Sequence, residues 1–140
     1  MKTLRLILGA LVFVLIAGAA QAQQTKVSAT VPFAFVAGDR VYPAGEYYFS
    51  RASITNNIIQ VSNSERVIAA NVLSNSCMKL KASDNTVLEF RRMGDNYFLY
   101  RIWVQGDSYG REFPRSQIET QLAQNHPNVE TVIVAANLSR

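Results

Sequence analysis

Residues 86–105, TVLEFRRMGDNYFLYRIWVQ, constrain the fold more than any other part of the chain. Two runs rich in β-branched and aromatic residues flank Gly94-Asp95-Asn96 and hold the only tryptophan of the sequence. Such side chains suit a pleated, half-buried surface and the central cluster has turn chemistry, so the stretch predicts a β-hairpin. Because side chains alternate across a strand, loop length decides which residues share a face. A two-residue Gly94-Asp95 loop sets Leu88 against Arg101 and Glu89 against Tyr100. A three-residue loop sets Met93 against Tyr97, Phe90 against Tyr100, Leu88 against Ile102 and Glu89 against Arg101. The longer loop is expected, because it makes one face apolar and leaves charge on the other. In that register Arg91, Tyr97, Arg101 and Trp103 share a face with Glu89.

The first 22 residues have the three parts of a secretory signal peptide. Basic Lys2 and Arg5 precede an apolar run over 6–17, and small residues end in Ala20-Gln21-Ala22. The apolar run is short of the roughly 20 residues that span a bilayer. Cleavage after Ala22 leaves residues 23–140 as one extracytoplasmic domain, periplasmic or secreted, with no cysteine at its start for a lipid anchor. The formal net charge is +4, of which Lys2 and Arg5 supply two, so the mature domain has little electrostatic reason to bind nucleic acid or acidic membranes. Cys77 is the only cysteine, which rules out an intramolecular disulfide and makes a small buried hydrophobe the expected role, with an intermolecular bridge or a reactive thiol as the alternatives.

Residues 26–36 alternate, with Val27, Ala29, Val31, Phe33 and Phe35 on one side. They predict a half-buried strand at an edge or with a bulge, because Pro32 cannot donate to a ladder. Gly38-Asp39 and Pro43-Ala44-Gly45 predict turns, and the next strand points Tyr47 and Phe49 inward. Asn56-Asn57 marks another turn before a short strand at 58–62. The run 67–73 is apolar on both faces and predicts a central strand or one covered by a helix. Residues 77–81 suggest a further short strand, with Met78 and Leu80 on one side and Lys79 and Lys81 on the other. A loop over 106–112 leads to one helix, opened by the capping box Ser116-Gln117-Ile118-Glu119, faced by Ile118 and Leu122, and stopped at His126-Pro127. A last strand is expected at 129–136. The whole predicts a mainly β fold, an antiparallel barrel or sandwich of about 7–9 strands with one short helix near the C-terminus.

Chemical candidates are few. His126 is the sole histidine, so neither a zinc site nor a Ser-His-Asp arrangement has support, and the phosphate-cradling glycine motifs are missing. Asp95, Asp107 and Glu112 are the loop carboxylates that a hydrolase would need. Turn chemistry accounts for Asp95, an Asx-turn for Asp107, and neighbouring Arg111 and Arg115 for Glu112. No catalytic residue, metal or cofactor is therefore expected. Tyr97, Arg101, Trp103, Asp107, Tyr109, Arg111 and Glu112 remain as a candidate ligand or partner surface, on the hairpin and the loop that follows it.

Four ordered stretches resemble a family of small, exported, uncharacterised β-proteins abundant in acidobacteria. They are Val31-Pro32-Phe33-Ala34-Phe35 with Gly38; Pro43-Ala44-Gly45-Glu46-Tyr47; Gly94-Asp95-Asn96-Tyr97-Phe98-Leu99 with Ile102-Trp103; and Gly110-Arg111-Glu112-Phe113-Pro114 with Ser116. The resemblance implies compartment and fold, and brings no activity with it. The functional expectation is a non-catalytic exported β-domain that binds an envelope component, a protein or a small apolar ligand. A hydrolase using loop carboxylates and a structural secreted protein without ligand are the alternatives.

Overall fold

The computed structural model describes residues 24–53, 57–65 and 67–139, so the expected signal peptide, Asn56 and Arg66 lie outside the described residues. From Lys26 the alternation works as expected: Val27, Ala29 and Val31 of β1 (Lys26–Val31) are buried on one side. The strand stops there. Pro32 sits just past its end, where the missing N–H interrupts no ladder, and the chain bends over Phe33 into β2 (Phe35–Ala37). The single strand expected over 26–36 is therefore two, and β1 is not an edge, since β4 and β12 flank it.

After the Gly38 turn come β3 (Arg40–Tyr42), β4 (Gly45–Arg51), β5 (Ile58–Asn63), β6 (Ile68–Leu73) and β7 (Asn75–Met78). The hairpin supplies β8 (Val87–Met93) and β9 (Asn96–Trp103), followed by β10 (Tyr109–Glu112), the helix α1 (Gln117–Asn125), β11 (Glu130–Ala135) and β12 (Asn137–Ser139). One sheet runs β12-β1-β4-β5-β6. The other runs β11-β8-β9-β10-β7, with β2 and β3 attached through a parallel bridge from Val36 to Phe98. The two sheets are not closed into a barrel, and the fold is a β-sandwich with one short helix near the C-terminus. The described strands outnumber the expected 7–9, because several pieces are only three or four residues long.

The chain passes from one sheet to the other with little intervening backbone. Ser74 alone separates β6 from β7, and Ala136 alone separates β11 from β12. Bends of this kind make the corners of a sandwich. The run over 67–73, expected at the centre or under the helix, is the outer edge of its sheet. Val72 faces the core while Asn71 and Leu73 stand in solvent. The helix cannot cover it, because α1 packs on the opposite sheet.

Between the sheets, Phe35 stacks on Tyr42 and meets Tyr47 and Phe90 edge-on, while Phe33 stacks on Tyr97 at 3.8 Å between ring centroids. Val31, Val61, Leu88, Leu99 and Ile102 complete this core.

The hairpin combines the two registers weighed above. At its tip Met93 pairs with Asn96, so the loop is the two-residue Gly94-Asp95, with Gly94 at φ +60°. A positive φ in a two-residue loop matches the twist of the flanking strands, and glycine takes it without a steric penalty. Arg92 then pairs with Tyr97 and Phe90 with Leu99, in place of the expected Met93–Tyr97 and Phe90–Tyr100. Next comes a bulge. Tyr100 is the additional residue, and beyond it Glu89 pairs with Arg101 and Leu88 with Ile102, as face sorting requires.

The outward face of this hairpin is covered at its tip by α1. Ser116 caps the helix, its Oγ accepting from the Glu119 N–H at 3.1 Å. The Glu119 carboxylate does not return to the cap. It is 1% exposed and pairs with Arg91, whose Nη2 donates to Oε2 at 3.0 Å and whose Nε faces Oε1. Anchored there, the helix turns Leu122 and Ala123 onto Val36, Met93 and Phe98, and Ile118, expected on the apolar face, stands exposed. Replacing Glu119 with Ala leaves the Arg91 charge buried and should cost about 3–5 kcal/mol in urea unfolding, whereas the double replacement Arg91→Met, Glu119→Leu should cost much less.

At the other end of the same face Trp103, 3% exposed, lies against Gly110. A Cβ on Gly110 would come within 2.6 Å of the indole ring and 2.7 Å of the Ile102 carbonyl. Gly110→Ala should therefore lower stability by about 1–3 kcal/mol through overpacking. Trp103→Ala should lower it by about 3–5 kcal/mol through the cavity left behind. Urea midpoints measure both.

Candidate functional site

The structure distributes the expected surface residues over three places. Tyr97 faces inward on Phe33, with the Arg92 guanidinium 5.6 Å from its ring centroid; the bulge puts it on the opposite side of the sheet from Arg101 and Trp103. The shared face expected for Tyr97, Arg101 and Trp103 is not formed.

Arg101, Trp103 and Glu112 occupy the outward face. Arg101 donates from Nε to Glu112 Oε2 at 2.7 Å, with Nη2 equally close, and Glu89 lies at 4.0 Å. Glu112 is therefore held by Arg101 across the strands and not by its sequence neighbours. Burial, the largest single influence on Arg101, lowers its pKa, but the bond to Glu112 and the nearby Tyr100, Glu112 and Glu89 together leave it raised. The Tyr100 ring has Arg91 at 4.2 Å and Arg101 at 4.1 Å. Lys79 lies 4.1 Å from the Trp103 centroid and donates to Ser83 Oγ at 3.3 Å. Charges on this face balance one another, and the aromatics are covered.

Half of the expected 106–112 loop is strand β10. Asp107 accepts the Tyr109 N–H at 2.8 Å, the expected Asx-turn. Arg111 pairs with core-facing Ile102, so Arg111 and Tyr109 share the inward face, as do Ser76 and Met78 opposite them on β7. Residues 79–81, expected to continue β7, have already left the sheet.

Of these inward positions Arg111 borders a recess of about 80 Å³ between the sheet ends. Val27, Phe49 and Ile59 line it from one sheet and Ile102 and Val104 from the other, with Arg51 and Arg111 at its rim. Arg111 is half-buried. Its Nε and Nη2 donate to Ser74 Oγ at 3.1 and 2.8 Å, and Nη2 reaches the Ser74 carbonyl at 3.2 Å and Asn57 Oδ1 at 3.4 Å. All these acceptors are neutral, and Nη1 meets no acceptor among the described residues. Burial, and after it the like charge of Arg51, push the Arg111 pKa below its ordinary value. Beyond the recess Tyr109 and Met78, opposite each other in the register, are 60% and 64% exposed.

Arg51 and the apolar lining were not among the expected site residues. The signal for Arg51 was in the strand period: Tyr47, Phe49 and Arg51 share a parity, so the alternation that buries two aromatics aims an arginine the same way.

Other concavities differ in character. A groove of about 250 Å³ at the hairpin tip is lined by Arg92, Gly94, His126, Pro127, Asn128 and Glu130. Another of about 580 Å³ runs beside Ile133 and Leu138. No group of three His, Cys, Asp or Glu suited to a metal occurs among the described residues, and no described helix is long and apolar enough to cross a membrane. Asp95 and Asp107 flank the eight-residue β9 at opposite ends, about 26 Å of strand apart, so they cannot act as a pair.

Comparison of the chain with protein-family models, curated proteins and solved structures gave no match.

Cys77 lies half-buried on β7, and burial pushes its thiol pKa up. Less thiolate means slower attack. At pH 8 the native protein should react with a disulfide reagent at least about tenfold more slowly than free cysteine, and the rate should reach the free value on unfolding in urea.

Proposed function

We propose that this is an exported, non-catalytic binding domain that holds a small apolar ligand at the open end of its sandwich. One observation carries the reading: a recess lined by Val27, Phe49, Ile59, Ile102 and Val104 opens between the sheets at Arg111, and one same-face step along the strands from Arg111 two large apolar side chains, Tyr109 and Met78, stand in solvent. Exposed apolar side chains next to an unfilled apolar recess suit one amphipathic occupant. Pockets for drug-sized ligands are usually about 300–1,000 Å³, so a recess of about 80 Å³ admits only the tail of a ligand, and Tyr109 and Met78 offer a surface for the remainder. The non-catalytic part of the reading is supported by the separation of Asp95 from Asp107 and by the engagement of Glu112 with Arg101.

A protein partner is the second reading, favoured by Leu80, which projects fully into solvent just past β7. Native mass spectrometry of the mature protein, purified without detergent from its own envelope, separates the two. The ligand reading expects a small-molecule adduct that is lost when Val104→Phe fills the recess. A polypeptide lost with Leu80→Ser supports a partner, and no adduct of either kind counts against both.

A further inference from the structure

Arg111 is a half-buried cation held by neutral acceptors. Arg91 meets Glu119, Arg92 meets Glu130, Arg101 meets Glu112 and Glu89, Arg115 meets Glu119 and Lys81 meets Asp84. Arg111 has no carboxylate within ion-pair distance among the described residues, although it is half-buried like Arg92 and Arg101. The three acceptors around it, Ser74 Oγ, the Ser74 carbonyl and Asn57 Oδ1, hold the guanidinium plane through Nε and Nη2, and Nη1 has no acceptor among the described residues. A second guanidinium, that of Arg51, borders the same recess. Two like charges at the rim of an apolar hollow repel each other, and an anion placed between them relieves the repulsion and compensates the half-buried Arg111.

The hollow behind them accepts no charge. Its walls are Val27, Phe49, Ile59, Ile102 and Val104. An occupant that satisfies both parts has a short hydrocarbon tail and a single anionic head, and a carboxylate has two oxygens, one to accept from Arg111 Nη1 and one from Arg51. By volume, about 80 Å³ is several times the roughly 10–15 Å³ that one water requires, which suits a few methylene groups and not a long acyl chain.

We propose that the recess binds a short-chain fatty acid, with the tail between the sheets and the carboxylate on Arg111 and Arg51. This rests on the ligand reading above and specifies the head group. Arg111 presents its donors already fixed by the Ser74 corner, so little side-chain entropy is lost on binding. Arg51 adds charge from β4, and the two arginines thus join the head group to both sheets.

Titration calorimetry of the mature protein with pentanoate and with pentanol tests the head group. Pentanoate should bind at least tenfold more tightly than pentanol, and its affinity should fall with rising salt. Arg51→Gln and Arg111→Gln should each remove most of that difference while leaving pentanol binding near the native value, and urea unfolding checks that each variant is folded. If pentanoate and pentanol bind equally, or if both folded variants bind pentanoate as the native protein does, the carboxylate site is overturned while the apolar-ligand reading stands. If neither compound binds, both are overturned.

Discussion

One additional residue in β9 determines which side chains face which way in the central hairpin, against which the core and the helix pack. The Gly94-Asp95 turn fixes pairing at the tip, and the apolar pattern fixes it at the base, and the two registers differ by one. Tyr100 absorbs that difference as a bulge. On the tip side Tyr97 and Leu99 point into the sandwich and Phe98 points out. On the base side Ile102 points in and Trp103 points out. Without the bulge Leu88 would oppose Arg101, and a charge would enter the core. The bulged residue also has tasks of its own, since its ring sits between Arg91 and Arg101 and its carbonyl accepts the Phe113 N–H at 2.8 Å. The docking of α1 follows from the same arrangement, because Phe98, Met93 and Arg91 are presented outward together.

The corners set the second constraint. Ser74 is fully buried where the chain leaves one sheet for the other, and its backbone N–H and its hydroxyl both bond to the Asn57 carbonyl. Arg111 holds the same serine from β10. The two crossing segments have a similar composition, VIAANVLS at 67–74 and VIVAANLS at 132–139, and neither contains a charge. Small uncharged residues let a strand bend from one sheet into the next without placing an ion at the corner.

Much of this fold was legible in residues 86–105, and the part that was not shows where local and long-range preferences part. Leu88–Ile102 and Glu89–Arg101 were readable because only those pairs sort the faces. The tip pairs were not, because a two-residue turn satisfies the backbone while face sorting asks for three, and nothing in the sequence marks a bulge as the compromise. Pro32 was readable as a break in a ladder, but not as the end of β1. Residues 67–73 misled because alanine and leucine look buried by composition, while Leu73 in fact stands in solvent. Of the candidate site, Tyr109 and Arg111 were found as part of a glycine-flanked loop. The recess beside them was not, since it arises from strands far apart in sequence, β1, β4 and β5 against β9 and β10. Only the parity of Arg51 with Phe49 pointed there.

Arg111 is where the fold and the proposed function meet. One edge of its guanidinium holds the Ser74 corner and so joins the sheets, while the other lines the recess. A residue in that position cannot respond to a ligand without affecting the corner. In the unliganded protein its charge is held among neutral acceptors near a like charge, an arrangement that stabilises the corner less than a compensated charge would. A carboxylate at Nη1 would supply compensation, so occupancy of the recess would strengthen the same contact that holds β6, β7 and β10 together. Any ligand that binds only the folded state stabilises it, by about 2.7 kcal/mol at a concentration one hundred times its dissociation constant. Here the gain would fall on the open end of the sandwich, where the recess lies between strands of both sheets, so a ligand there would stabilise the corner most directly.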